Sequence, residues 1–371
     1  MSNYTTDAYE ALARHLDEAP LGAPYAPQLL SLLRQLFTPE QARVALALEF
    51  RPRALEEIAA KAGQEAEELE KVLEAMADKG LVYARRGPRT TFYSLLPLVP
   101  GLTETQFMDG VVSEHKQRLA RAFAAYHDQG LSKAMADAPL PYGRVVPVGR
   151  AVQNTSRVLA HEQASQLVDQ QQFLAVTHCY CRQQAELIGT SCEAPKEVCL
   201  IFGPFARFAV ERSMAREIDK PRALKILEEA EDAGLVHISD NVAKGVNFLC
   251  NCCGCCCLFL RTLKRVGPGK AVARAGFVPV VDAEACSGCG ECEQACQVQA
   301  IELRDTQPVV DEAMCLGCGL CAARCPAEAI TMTPREHAPP PGDFGELIAR
   351  LREGRKSTQG VGKGCNSQKL A

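Results

Sequence analysis

Six cysteines fall within the thirteen residues FLCNCCGCCCLFL, Phe248 to Leu260. Four more precede them as C-x-C-x10-C-x6-C, at Cys179, Cys181, Cys192 and Cys199. Eight follow in two copies of C-x2-C-x2-C-x3-C, and the nineteenth is Cys365 in the tail. Thiols at this density either cross-link or bind soft metal ions. The first residues, MSNYTTDAYEALARH, lack the basic start and apolar stretch of a secretory leader, so a cytoplasmic, reducing setting is expected. There the cysteines read as metal ligands rather than disulfides. No run of about 20 apolar residues exists, so no membrane span is expected.

The two copies lie in a repeat. VVDAEACSGCGECEQACQVQAI from Val280 and VVDEAMCLGCGLCAARCPAEAI from Val309 align without gaps at an offset of 29. Three cysteines on a tight loop can hold three corners of an iron–sulfur cube. Gly288, Gly290, Gly317 and Gly319 let backbone N–H groups approach the sulfurs, and the fourth cysteine, expected at the start of a helix, serves the other cube. One quartet is then Cys286, Cys289, Cys292 and Cys325, and the other Cys315, Cys318, Cys321 and Cys296. Zinc would not need two interleaved quartets. Residues 277 to 333 resemble the bacterial two-cluster [4Fe–4S] ferredoxins, which implies single-electron storage and transfer at low potential. One position departs from that pattern: Pro326 follows Cys325, but Gln297 follows Cys296.

The ten upstream cysteines are Cys179, Cys181, Cys192, Cys199, Cys250, Cys252, Cys253, Cys255, Cys256 and Cys257. At four thiolates per cubane they could serve one or two further iron–sulfur clusters, or one larger cluster. Zinc is the second choice. A single buried cysteine is commonly just a small core residue, but six in eight positions do not fit that reading. Adjacent side chains such as those of Cys255, Cys256 and Cys257 point in different directions. Either two sites share the segment or some thiols stand behind the ligands. His178 reads as a neighbour of the site, Arg182 as a surface ion-pair residue before a charge-balancing one, and Cys365 as a free thiol. The stretch 173–335 resembles a group of larger iron–sulfur proteins in which HCxCR, FGxxARF (here Phe202 to Phe208) and CNCCGCCC segments precede a dicluster ferredoxin. That resemblance implies electron transfer without naming a substrate.

The elements that must position these residues are partly readable. Thr38-Pro39-Glu40 opens a helix expected to run through Phe50. RALEEIAAKAG gives a second, closed by Gly63. EAEELEKVLEAMADKG gives a third, with Leu69, Val72, Leu73 and Met76 on one stripe and Gly80 at its end. LVYARRGPRTTFYSL then reads as strand, turn and strand. This stretch resembles a winged-helix domain. Its third helix carries Glu65, Glu67, Glu68, Glu70, Glu74 and Asp78 against Lys71 and Lys79, a net of −6 + 2 = −4 that would repel a duplex. Arg85, Arg86 and Arg89 of the wing are its basic feature. Residues 102–172 read as helical, with PLPYGRVVPVGR as a loop. The frame of helix, glycine, Leu-Val and hairpin recurs in KILEEAEDAGLVHISDNVAKGVNFLC, Gly234 matching Gly80.

With 371 residues, 47% apolar and a net charge of −4, the chain can bury several cores and has no global pull toward nucleic acid. The expected fold is α+β, a helix-rich multidomain chain with small hairpins and no large sheet. The expected units are a winged-helix-like domain (1–100), a helical connector (101–172), a cysteine-rich metal-binding domain (173–265), a dicluster ferredoxin domain (266–335) and a tail (336–371). The function expected is a multi-cluster iron–sulfur electron-transfer protein that passes single electrons between redox partner proteins, docked through the N-terminal domain. It would be a carrier or an oxidoreductase subunit before a stand-alone enzyme. The alternatives are a redox-sensing winged-helix regulator and a reductase with a catalytic cluster in the central domain.

Overall fold

The computed structural model describes residues 7–152, 163–267 and 269–362, so Cys365 lies outside the described residues. It is a mixed helix and sheet protein. The N-terminal elements begin with helices Ala8–Asp17 and Pro27–Leu36. Helix Pro39–Ala45 is fixed by a capping box in which the Thr38 hydroxyl accepts from Gln41 N–H and the Gln41 side chain answers Thr38 N–H. It stops at Ala45, short of the expected Phe50, and the chain turns through Leu48. Strand β1 (Arg53–Ala54), helices Leu55–Ala62 and Ala66–Asp78, and strands β2 (Val82–Arg86) and β3 (Thr91–Leu95) follow. The strands pair antiparallel in the order β1-β3-β2. Leu69, Leu73 and Met76 are fully buried, while Val72 is half-buried.

The expectation of small hairpins alone is corrected by a seven-stranded sheet. Its strands are β4 (Gly143–Val146), β5 (Leu174–His178), β6 (Glu197–Phe202), β7 (Arg216–Ile218), β8 (Val236–Asp240), β9 (Phe248–Cys252) and β10 (Val272–Ala273). They lie in the order β10-β4-β8-β9-β6-β5-β7, antiparallel except for β10 on β4. Strand β4 sits inside the stretch expected to be a loop, and its four residues are buried. GRVV is short and enclosed by prolines, so its sequence gives no alternation to read; β8 supplies the missing partner. The sheet thus draws on residues 143 to 273, across three of the expected units.

Helix Lys220–Asp232, Gly234 at φ +72 and the β8–β9 hairpin repeat the N-terminal frame of helix, Gly80 at φ +66 and hairpin. A left-handed glycine closes each helix because any other side chain would strain there. Strands β11 (Phe277–Val281), β12 (Ile301–Arg304), β13 (Gln307–Val310) and β14 (Ile330–Pro334) form two ribbons, β11 with β14 and β12 with β13. Helix Phe344–Gly362 returns to the N-terminal half, where Arg355 donates to Ala19 O and Asp17.

Candidate metal centres

The eight cysteines of the repeat are gathered as two interleaved quartets. One void is lined by Cys286, Cys289, Cys292 and Cys325, and a second by Cys315, Cys318, Cys321 and Cys296. The loops reach this shape through left-handed glycines: Gly288 at φ +67, Gly290 at +83, Gly317 at +71 and Gly319 at +80. The fourth cysteine of each motif follows a helix instead of starting one, Cys296 after Glu291–Ala295 and Cys325 after Leu320–Ala323. That placement turns its sulfur back to the other loop. Matching amides then reach these sulfurs, Ala300 N to Cys296 Sγ at 3.1 Å and Ala329 N to Cys325 Sγ at 3.3 Å. Burial raises the Cys315 and Cys318 thiols, the latter to about 12. In an apolar void such thiols stay protonated until a cation displaces the protons.

Residues 279–332 match the 4Fe-4S dicluster domain family. No curated protein and no solved structure matches the chain. The matched stretch contains all eight cysteines of the repeat; the other ten described cysteines are organised by the central sheet.

Those ten divide into four and six. The sulfurs of Cys192, Cys253, Cys255 and Cys256 all lie within 4.8 Å of one another, with Cys192–Cys253 and Cys255–Cys256 each at 3.7 Å. One tetrahedral ion with metal–sulfur bonds of about 2.3 Å sets its sulfurs roughly 3.8 Å apart. A cube puts its four thiolates on four different irons and needs them wider apart. This cage has the span of a single thiophilic ion.

The other six thiols influence one another in a closed sequence, Cys179, Cys181, Cys257, Cys252, Cys250 and Cys199. The elements explain the division. Cys250 and Cys252 are two apart on β9 and share a face, with Asn251 on the other. Cys199 is on β6, the neighbour of β9, and Cys179 and Cys181 flank the start of helix Tyr180–Leu187 after β5. The chain leaves β9 in a turn that carries Cys253, Cys255 and Cys256 away, and Cys257 caps helix Leu258–Val266 and returns to the ring.

Around the ring the thiols alternate in acidity. Hydrogen bonds from Cys181 and Cys199 hold Cys179 well below its usual value. Those from Cys199 and Cys252 pull Cys250 down to about 6. Burial pushes Cys257 up, but bonds from Cys181 and Cys252 outweigh it. The three between are raised, Cys181 by burial first, Cys199 and Cys252 by donating to those neighbours. The three lowered thiols favour the negative form in this pocket.

Arg182 answers that charge. Its side chain is fully buried, contrary to the surface role expected for it. Nη2 donates to Asn251 O at 3.0 Å, whereas Nε and Nη1 have no hydrogen-bond partner. Burial disfavours its charge, and Cys179 and Cys199 of the ring and Cys253 of the cage favour it. A buried guanidinium with two unpartnered nitrogens between two thiol sets fits anionic metal–thiolate centres on both sides. His178 belongs to neither set.

The two cysteine regions meet at Gln297. Its Oε1 accepts from Gly254 N–H at 2.7 Å, between Cys253 and Cys255 of the cage, and its Nε2 donates to Gly234 O at 2.9 Å. A Cβ on Gly254 would lie 2.0 Å from the Gln297 carbonyl oxygen, so only glycine allows the approach. The Cys315–Cys321 loop also faces the central sheet, with Val148 N donating to Cys318 O at 2.8 Å and Ala275 N to Leu316 O at 2.9 Å. Cys289 of the other quartet is exposed. The Cys318 quartet, the Gln297–Gly254 joint and the cage thus follow one another, and Cys255 of the cage is itself exposed. The break in the ferredoxin pattern at Gln297 marked a special position, though not its role; Asn251 had only its place between two cysteines.

Proposed function

We propose that the chain is a multi-centre iron–sulfur electron-transfer protein that handles single electrons at low potential. The observation that carries the reading is the Gln297 side chain, which ties the Cys318 quartet directly to the four-thiol cage. A [4Fe–4S] cube supplies one-electron storage when bound. The quartets would hold two such cubes, Cys192, Cys253, Cys255 and Cys256 one zinc or iron ion, and the six-thiol ring a further multi-iron cluster. Arg182 offsets the negative charge of the inner sites, and Leu249, Leu258, Phe259 and Leu260 pack buried beside the ring, while Cys255 leaves the cage open on one side. The exposed rim at Cys289 is the natural entry for a redox partner.

The N-terminal unit, read as winged-helix-like, serves this function as a protein-docking module. Its acidic helix Ala66–Asp78 is engaged by the central unit, where Arg212 pairs with Glu74 at 2.9 Å and with Asp78. That contact and the charge both weigh against a DNA regulator. Among the described residues no helix is long and apolar enough to cross a membrane.

The test is the iron and zinc content per chain after anaerobic purification. The reading expects more than about eight irons, eight being two cubes of four, plus one ion lost selectively in a Cys192→Ser, Cys256→Ser variant. A content of about eight irons with no zinc would end the central-centre reading.

A further inference from the structure

A cavity of about 210 Å³ lies against the six-thiol ring, and neither electron storage nor structural metal binding requires it. Its walls come from the 96–108 segment, the strands β5, β6 and β9, and the start of the C-terminal helix. Aromatic side chains supply much of the surface: Tyr142, Tyr180, Phe205, Phe248, Phe259 and Phe344. Cys199 and Cys250, neighbours in the ring, complete one side.

Few polar groups face this space. Glu104 accepts from Gly101 N–H at 2.6 Å, which leaves acceptor positions on its carboxylate free. Burial raises that carboxyl to about 7. The His178 ring also lines the cavity and has no hydrogen-bond partner among the described residues. Thr177 and Asn247 are already committed, the first to Met108 O and the second to Asp240. Protein interiors close on voids of this size, and an apolar void does not hold ordered water. Aromatic walls with two uncommitted polar groups are the composition of a small-molecule pocket.

We propose that the cavity binds a small, flat aromatic or heteroaromatic molecule. Its hydrogen-bonding head group meets Glu104 and His178, and its ring lies on the aromatic wall beside Cys199 and Cys250. Binding stands on the cavity alone; a redox role for the ligand rests on the reading of the six-thiol ring as a metal centre. Phe344, at the edge of the cavity and packed edge-on against Tyr142 at 6.4 Å, makes the C-terminal helix part of its closure.

The test uses benzimidazole as the probe on the full-length, anaerobically purified holoprotein, followed by calorimetry and by the visible absorption of the bound centres. Saturable one-site binding is expected. Ile201→Trp, which fills the cavity from β6, should weaken it at least tenfold with the metal content unchanged. Should Ile201→Trp not fold, Leu96→Trp fills the same space from the other segment. At pH 8, benzoate, which presents a carboxylate to Glu104, should bind at least tenfold more weakly than benzimidazole. No saturable binding of benzimidazole, or binding indifferent to both filling variants, would overturn the proposal. Cavity-dependent binding that leaves the visible bands unmoved upholds the site and counts instead against a metal centre in the ring.

Discussion

Arg182 is the residue on which the electrostatics of the inner sites turn. A guanidinium buried without a carboxylate is costly unless something anionic shares its space, and here the thiols of Cys179, Cys199 and Cys253 do. Arg182→Met keeps the volume and removes the charge. At an effective dielectric near 20, a unit charge about 5 Å away is worth roughly 3 kcal/mol, on the order of 100 mV for one electron. Losing a cation makes electron uptake harder, so the potential of the inner centre should fall by that order. Arg182→Lys should recover part of the shift. A redox titration followed by EPR reads both, and an unchanged potential in Arg182→Met would place the guanidinium outside the field of any centre. This residue also marks the limit of the sequence at this scale. HCYCR places Arg182 next to Cys181, but whether it points to solvent or between two thiol sets depends on β9, some seventy positions away. The grouping of the repeat's eight cysteines around two voids was legible because their spacing is local. The four-and-six division upstream was not, since it follows from which strands are neighbours.

The joint between the two cysteine regions is built by elements. Gln297 follows the helix Glu291–Ala295, Gly254 sits in the turn after β9, and Gly234 ends the helix Lys220–Asp232. One side chain therefore reads the relative position of three elements. Gln297→Ala removes two hydrogen bonds of about 1 kcal/mol each, a loss of roughly 2 kcal/mol in stability. It should also slow electron equilibration between the dicluster domain and the central centres, with iron content unchanged. Flash reduction followed by absorbance measures the rate, and an unaltered rate would show that the joint only braces the fold. Gly254→Ala should act in the same direction, because its methyl group meets the Gln297 carbonyl. The sheet beneath this joint could not be read from sequence for a physical reason. Its strands run two to six residues, are mostly buried, and include β4 and β10, which have too few positions to show alternation. The N-terminal helices were legible because capping residues and apolar stripes announce themselves within one element.

At the scale of the whole molecule, the N-terminal unit is packed onto the central sheet instead of hanging from a linker. Arg212, at the end of helix Gly203–Glu211, reaches Glu74 and Asp78, and its side chain is only 12% exposed. Beside it Tyr83 packs on Phe208 with ring centroids 5.2 Å apart, and Gln106 donates to Lys79 O at 2.9 Å. The contact turns an acidic helix from a surface open to a partner into one already partly spent. Arg212→Glu would set a carboxylate against two others in a half-buried place. Counting the lost pairs and discounting for the exposure of Asp78, the cost is on the order of 2 kcal/mol. The effect should be local to this interface. Calorimetry of the wild-type protein should give one cooperative transition for the N-terminal and central units, whereas Arg212→Glu should split off an earlier one. Limited proteolysis should then cut between the two units while the visible bands of the metal centres persist. A single transition in the variant, or loss of the bands together with the first transition, would mean that the N-terminal unit is part of the scaffold of the centres and not a module docked against them.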